Sequence, residues 1–172
     1  MEAKQTLMND QTEQVYLSEA LLGVMRVAAA IALRLGESFI TTRMLLLALL
    51  EDPQVGPALA GVLPKDRLEA LPPAEGPKYV AGRIPEPHAQ LAERAAMQRY
   101  DTLAFKVPDG TQSVWLSREA LIVFQEGAQR SEGRYLPKHL AFGIAAQAVR
   151  TPGVLASLHV SPGAINDALF KL

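Results

Sequence analysis

The sequence predicts an all-α protein built from two related halves. Apolar residues make up 49% of its 172 residues and aromatic residues only 6%, so Ala, Leu and Val must fill the core, which favours helices over sheets. Long segments carry their apolar residues at helical spacing. In addition, the stretch FITTRMLLLALLEDP, which starts at Phe39, has a looser echo 96 residues later, YLPKHLAFGIAAQAVRTP, which starts at Tyr135.

Composition and charge exclude several classes of function. The net charge is −1, whereas domains that bind nucleic acid usually carry a basic excess, so we expect neither nucleic acid nor a membrane as partner. The apolar run from Leu17 to Leu35 contains Glu19, Arg26 and Arg34, which favours a buried helix over a membrane span. The chain has no cysteine and no signal-peptide pattern at its start, so we expect it in the cytoplasm.

The first half begins with two helices in close succession. Ser18 is a suitable N-cap for the long apolar-rich run, and Gly36 suits the left-handed position that follows a helix. Either Thr41 or Thr42 is expected to cap the second helix. That helix must stop ahead of Pro53, because the residue before a proline is pushed out of helical geometry.

Two short helices complete the first half. Pro57 suits the first turn of the third helix. Asp66 is expected to cap the fourth, with Glu69 as the reciprocal partner in a capping-box-like pair, and Pro72-Pro73 should end it.

The second half repeats this order. Ser117 opens a long helix that stops at Gly133, and Thr151 and Ser161, each followed by proline, start the two short ones. The second helix is matched residue for residue, with Tyr135-Leu136 against Phe39-Ile40 and Pro137-Lys138-His139-Leu140 against Thr41-Thr42-Arg43-Met44.

This repeat divides the chain into an N-terminal extension (1–17), a first copy (18–71), an insertion (72–116) and a second copy (117–172). We expect two pseudo-twofold-related four-helix copies in one compact domain, because stacking buries apolar faces that neither copy could cover alone. Residues 88–100 of the insertion read as an Ala-rich helix. The Pro-Asp-Gly turn after it predicts a small β-hairpin that leans Phe105 and Trp115 on the helices.

The two copies, AAAIALRLGESFITTRMLLLALLEDPQVGPALAGVL and EALIVFQEGAQRSEGRYLPKHLAFGIAAQAVRTPGVLASLHVSPGAINDALFKL, resemble the paired repeats of the Clp N-terminal domain. That domain forms the front end of Clp-type AAA+ unfoldases and also occurs in stand-alone accessory proteins. The resemblance covers residues 18–71 and 117–172 and leaves the insertion unmatched.

The resemblance implies a binding site at the start of the second helix. Family members carry Glu and then His after the Thr that Thr42 matches. Here Arg43 and Met44 stand at those places, and His139 and Leu140 do so in the second copy. In some relatives the Glu accepts a phosphoarginine guanidinium, which requires a carboxylate, so we do not expect that recognition here. A site of reversed sign favours carboxylates or acidic peptide segments instead.

Further cations flank the second helix of the second copy, namely Arg130, Arg134, Lys138 and His139. Such a cluster is more often a solvated surface, and Glu126 and Glu132 can offset its charge. The candidate protein-binding residues are Thr42, Arg43, Arg134, Lys138 and His139.

No reaction is predicted. The sequence has no G-x-x-x-x-G-K-[ST] phosphate loop, no G-x-S-x-G elbow and no H-E-x-x-H helix. The three histidines, His88, His139 and His159, are too dispersed for a metal site and are read as solvent-facing or helix-end residues. We therefore expect neither catalytic residues nor a metal or other cofactor.

The leading hypothesis is a non-catalytic interaction module that binds substrate or adaptor segments, or docks onto a Clp chaperone-protease assembly. Its expected partners are a Clp-type unfoldase, a Clp protease subunit, an adaptor or a substrate segment. Two alternatives remain: the chain is the front domain of a larger Clp ATPase, or it is a small enzyme or ligand-binding protein with a pocket around the insertion.

Overall fold

The computed structural model describes residues 6–8, 14–37, 39–72, 103–109 and 112–172. This part of the chain is mostly helical, as predicted. Its eight helices are α1 (Glu19–Arg34), α2 (Thr42–Leu50), α3 (Val55–Ala60), α4 (Lys65–Glu69), α5 (Arg118–Gln129), α6 (Pro137–Arg150), α7 (Val154–Ser157) and α8 (Pro162–Phe170). The Ala-rich helix predicted over 88–100 lies outside the described residues.

Serine caps start three of the helices as the sequence predicts. The Oγ of Ser18 accepts a hydrogen bond from the N–H of Leu21 at 3.1 Å. At the starts of α5 and α8, the Oγ atoms of Ser117 and Ser161 likewise accept a hydrogen bond from the N–H of the third residue after them. Gly36 follows α1 with φ +73°, the left-handed conformation that glycine adopts at no steric cost.

Six short strands accompany the helices in the described residues. They are β1 (Thr6–Met8), β2 (Gln14–Leu17), β3 (Phe39–Ile40), β4 (Ala104–Lys106), β5 (Ser113–Leu116) and β6 (Arg134–Tyr135). The antiparallel pair β4–β5 is the predicted hairpin. Strands β1 and β2 form a second antiparallel pair, within the segment that the sequence marks only as an N-terminal extension.

The strands form two sheets of three, in the orders β1-β2-β6 and β4-β5-β3. We call them the reciprocal sheets, because in each one an antiparallel pair is joined by a short strand from the other half of the chain. Leu17 in β2 pairs in parallel with Tyr135 in β6, and Leu116 in β5 pairs in parallel with Ile40 in β3. The next residue extends each ladder: the N–H of Ser18 donates to the carbonyl of Tyr135 at 3.1 Å, and that of Ser117 to the carbonyl of Ile40 at 2.9 Å. The strand that leads into α1 is therefore held by the strand that leads into α6, and the strand that leads into α5 by the one that leads into α2.

One apolar core joins the helices and the two sheets. Helix α1 packs on α2, α5 on α6 and α6 on α8, while α2 also contacts α5 and α6. A row of aromatic rings crosses the core, with Phe105 5.7 Å from Phe124 and Phe124 4.9 Å from Tyr135 between ring centroids. Phe105 of the hairpin is fully buried, as predicted, whereas Trp115 is only partly buried. None of the helices in the described part of the chain combines the length and apolar character needed to cross a lipid bilayer.

Helices α5 and α6 cross at two glycines. A Cβ on Gly143 would lie 2.6 Å from the carbonyl oxygen of Val123 and 2.7 Å from the nitrogen of Gly127. The hydroxyl of Tyr135 lies beside Gly127 and donates to the carbonyl of Phe124 at 2.8 Å. Burial raises the pKa of Tyr135 well above its ordinary value. The backbones of the two helices can approach this closely only because neither residue carries a side chain.

Helices α2 and α6 begin with the same unusual cap, in which the third helical residue turns back to accept from the N-cap backbone. The sulfur of Met44 accepts from the N–H of Thr41 at 3.3 Å, and Nδ1 of His139 accepts from the N–H of Leu136 at 2.9 Å. A Glu or Gln performs this task in the ordinary capping box.

These caps correct the predicted register of the second helices. The N-caps Thr41 and Leu136 lie 95 residues apart, rather than 96, because Pro137 occupies the first helical position of α6. The predicted match of Arg43 with His139 is therefore wrong. Lys138 occupies the position in α6 that Arg43 occupies in α2.

Two other predicted helix starts are wrong. The N–H of Leu68 bonds to the carbonyl of Pro64 at 2.9 Å, so Pro64 is the N-cap of α4 and Asp66 lies inside its first turn. Thr151 ends α6 instead of starting α7, whose first hydrogen bond runs from Ser157 to the carbonyl of Gly153.

The cap of α6 makes His139 sensitive to protonation. Burial lowers the pKa of the imidazole, Lys138 lowers it further, and Glu132 raises it in part. Because Nδ1 accepts a hydrogen bond, the ring must be neutral there for the cap to persist.

Replacing the crossing glycine should destabilise the fold. We expect Gly143→Ala to lower the free energy of unfolding by about 1–3 kcal/mol, because its Cβ would overlap the backbone of α5. The control is Gly23→Ala in α1, where a Cβ meets nothing within 4 Å. There we expect a gain of about 0.5–1 kcal/mol, since alanine lowers the entropy of the unfolded chain. Urea denaturation of both variants measures the difference; equal stabilities would contradict the close crossing.

The protein should become less stable as the pH is lowered, because of His139. The folded pKa lies below the unfolded value of about 6.5, so the free energy of unfolding is highest above that pH and decreases as pH falls from about 6.5 toward the folded pKa. In His139→Asn the amide oxygen can accept the same bond without titrating, so this decrease should shrink.

The matched control for His139→Asn is His159→Asn. His159 lies outside the cap of α6 and has φ +57°, a conformation that asparagine tolerates. This variant therefore keeps the hydrogen bond of His139 and should keep the pH dependence that the cap causes. Thermal or urea unfolding measured between pH 5 and pH 8 distinguishes the two variants. A wild-type dependence that persists in His139→Asn would assign the effect to another group.

Candidate functional site

The five candidate residues occupy two parts of the fold. Thr42 and Arg43 are the first two residues of α2, whereas Arg134 belongs to β6 and Lys138 and His139 to the first turn of α6. The partners of each group show which side chains present their chemistry to the outside.

Arg43 lies inside the protein, with 7% of its surface exposed. Its Nη2 donates to Glu37 Oε2 at 2.8 Å, and its Nη1 donates to the carbonyl of Leu71. Glu37 is also largely buried, with 12% of its side chain exposed. The guanidinium therefore links the loop after α1 to the segment after α4, and its charge is neutralised by an internal partner.

Thr42 is buried as well. Its hydroxyl donates to Glu119 Oε1 at 3.3 Å and so connects the first turn of α2 to the first turn of α5. The two side chains line a cavity of about 10 Å³ together with Ile144 and Gln147. A space of this size is on the scale of one water molecule rather than of a ligand.

Arg134, Lys138 and His139 lie close together along the chain, at the entry to α6. Arg134 is exposed on β6, where its backbone pairs with Tyr16 of β2. Lys138 is partly exposed at the second position of α6. His139 uses Nδ1 in the helix cap, so its neutral ring carries the proton on Nε2 and acts as a donor. Lys138 and His139 therefore place donors in the first turn of α6, and Arg134 adds a cation three residues before that helix.

Lys138 has an unfavourable position for helix stability. A helix N-terminus carries a partial positive charge, and a cation there costs about 0.3–1 kcal/mol relative to its absence. Arg43 occupies the same position of α2, but Glu37 compensates its charge.

The structure also shows a groove that the sequence did not indicate. It has a volume of about 470 Å³, and its lining includes Arg130, Phe142, Val149, Arg150 and Asn166. The sequence analysis grouped Arg130 with Lys138, but the structure places it at the other end of α6.

The groove could not be identified from a sequence pattern around Val149. Its walls come from separate parts of the chain, namely α6, α8 and the residue after α5.

Among the described residues, no three His, Asp or Glu side chains are grouped so that they could hold a metal ion.

Comparison with known proteins gives a match at the level of structure. No family model matches the sequence, and no curated protein matches it either. Among solved structures, the chain is similar to the crystal structure of the N-terminal domain of the caseinolytic protease associated chaperone ClpD from Arabidopsis thaliana. The TM-score is 0.51, with 18% sequence identity over 90% of this chain and 92% of that chain. The chain thus has the fold of a Clp N-terminal domain.

Proposed function

We propose that this chain is a non-catalytic double-repeat module that binds substrate or adaptor segments for a Clp-type chaperone-protease, or docks onto that assembly. The observation that carries the proposal is the fold shared with the N-terminal domain of a protease-associated chaperone over 90% of the chain. The sequence also contains no phosphate loop, which fits a module that acts beside an ATPase without hydrolysing ATP itself.

The reciprocal sheets support the duplication that this proposal includes. Each sheet combines a hairpin that leads into a long helix with the short strand that leads into the other half's second helix. The two long helices start at serine N-caps, and the two second helices start with a side chain at the third position that accepts from the N-cap backbone. On this reading, each copy includes its hairpin, so the copies extend to residues 6–71 and 103–172.

Within the candidate residues, we place the contact with an acidic segment at Arg134, Lys138 and the Nε2–H of His139. Two cations and a donor at the N-terminal end of α6 suit a carboxylate, to which the helix end is also attractive. Lys138 reduces helix stability at its position, and such a cost is typical of residues retained for function. Thr42 and Arg43 support this proposal only indirectly, since both side chains have partners inside the fold.

A second candidate is the front domain of a larger Clp ATPase. The matched structure is itself the N-terminal domain of a chaperone, and this chain covers 92% of it. Reading the coding sequence downstream of Leu172 tests this candidate directly. A phosphate-loop segment in the same reading frame would establish it.

The main proposal predicts recovery of Clp components from a native lysate. The full chain, immobilised and analysed by mass spectrometry, should enrich a Clp-type unfoldase, a protease subunit or a known adaptor. Lys138→Glu should lower that enrichment by about three- to tenfold, because the charge that contacts an acidic segment is reversed. A glutamate at this helix position favours folding, so a loss of binding would not reflect unfolding.

Arg118→Glu is the matched control for Lys138→Glu. Arg118 is an exposed cation in the first turn of α5, so the change of charge and the helix environment are alike. This control should keep the enrichment. A native lysate that yields no Clp component with the wild type would contradict the proposed function, whereas equal enrichment by both variants would contradict only the contact at Lys138.

A further inference from the structure

The groove between α6 and α8 combines an open apolar wall with two arginines. Val149 is 72% exposed, and Phe142 lies two turns earlier on the same helix. Asn166 lines the opposite wall on α8, and Phe170, 88% exposed, follows one turn further along that helix. The groove therefore offers an exposed apolar contact next to its charged side chains.

Two arginines at the groove share a single carboxylate, so their positive charges outnumber its negative charge. Arg150 Nη2 donates to Glu126 Oε1, and Arg130 Nη2 lies 3.7 Å from Glu126 Oε2. Glu126 has 12% of its side chain exposed, whereas Arg130 and Arg150 have 45% and 58%. Two cations thus face one largely covered carboxylate, and the described lining of the groove contains no acidic side chain. The local formal charge is positive by one.

Both guanidiniums retain the capacity to bind a second carboxylate. Each has five N–H donors, and the contacts with Glu126 use the Nη2 group of each. Exposed ion pairs of this kind contribute little to folding, so their rearrangement upon binding costs little. Planar arginine side chains are also enriched at protein interfaces, where they pair with carboxylates through two parallel hydrogen bonds.

The apolar wall favours a peptide over a polyanion. Val149 and Phe142 line the groove together with Arg130 and Arg150. A peptide can cover this wall with an apolar side chain while its carboxylate contacts the arginines. The phosphate groups of a polyanion would leave the wall uncovered.

We propose that this groove binds a peptide segment in which a carboxylate stands beside a large apolar side chain. The carboxylate binds to Arg130 and Arg150, and the apolar side chain covers Val149 and Phe142. This inference rests on the proposed role as an interaction module but concerns a different surface. Lys138 and Arg150 are 12 residues apart on α6, which corresponds to roughly 18 Å along the helix axis.

The probe is the fluorescein-labelled peptide Gly-Ser-Leu-Phe-Glu-Glu-Gly-Ser, measured by fluorescence anisotropy against the full chain. Replacing Glu-Glu by Gln-Gln should weaken binding about tenfold, because the hydrogen bonds to the arginines lose their charge. Replacing Leu-Phe by Ser-Ser should weaken it to a similar extent, about tenfold, because the apolar contact is lost. Binding of the parent peptide should also weaken as salt is added.

Variants of the protein locate the contact. Arg150→Gln should weaken binding of the parent peptide about tenfold and should abolish the preference for Glu-Glu over Gln-Gln. Val149→Ser should weaken the binding of every peptide that contains Leu-Phe. The controls are Arg34→Gln and Leu33→Ser, which change an exposed arginine and leucine at the last two positions of α1. Circular dichroism melting curves verify that all four variants fold.

These measurements test the groove separately from the contact proposed at Lys138. The groove is overturned if Arg150→Gln and Val149→Ser bind the peptide as the wild type does, or if the Glu-Glu and Gln-Gln peptides bind equally. It is also overturned if sedimentation shows a dimer that Val149→Ser dissociates, because the groove would then be an interface between two copies. In each of these cases the lysate experiment with Lys138→Glu still reports independently on the proposed function.

Discussion

The fold depends on an exchange of strands between its first and second halves. The amide of Ser18 bonds to the carbonyl of Tyr135, and the amide of Ser117 bonds to the carbonyl of Ile40. Each long helix therefore starts at a point fixed by the other half of the chain. Backbone groups buried at such a junction must be paired, which makes the exchange obligatory once the core has formed.

This exchange also positions the two surfaces proposed for binding. Strand β6 delivers Tyr135 into the core and the following residues into the first turn of α6, which brings Lys138 and His139 to the surface at one end of that helix. The glycine crossing with α5 then sets the direction of α6. Its other end reaches α8, where Arg150 and Asn166 form the walls of the groove. One rigid helix thus separates the two contacts by a fixed distance.

The sequence predicts the parts of this structure that are determined locally. The serine caps, the left-handed Gly36 and the hairpin before α5 follow from residue preferences that act within a few positions. The one-residue error in matching α2 with α6 has a different origin. Pro137 shifts the start of α6, and a histidine and a methionine perform a capping task usually assigned to glutamate, so residue types at aligned positions gave a misleading register.

Other features could not be predicted because their causes lie far apart in the chain. The strands β3 and β6 have two residues each, too few for an alternating pattern, and exist only through their partners. Arg43 looked like a surface cation because the sequence does not reveal that Glu37 and the carbonyl of Leu71 meet it inside the fold. The groove likewise depends on the tertiary placement of α6 against α8.

The reciprocal sheets have a consequence for a chain cut between residues 72 and 103. Neither fragment could complete a three-stranded sheet, because each would hold a hairpin whose third strand belongs to the other fragment. Each would also expose an unpaired β edge, which readily associates with another strand. Each piece would therefore lack a strand that the other piece supplies, so completion of either sheet would require the two pieces to associate.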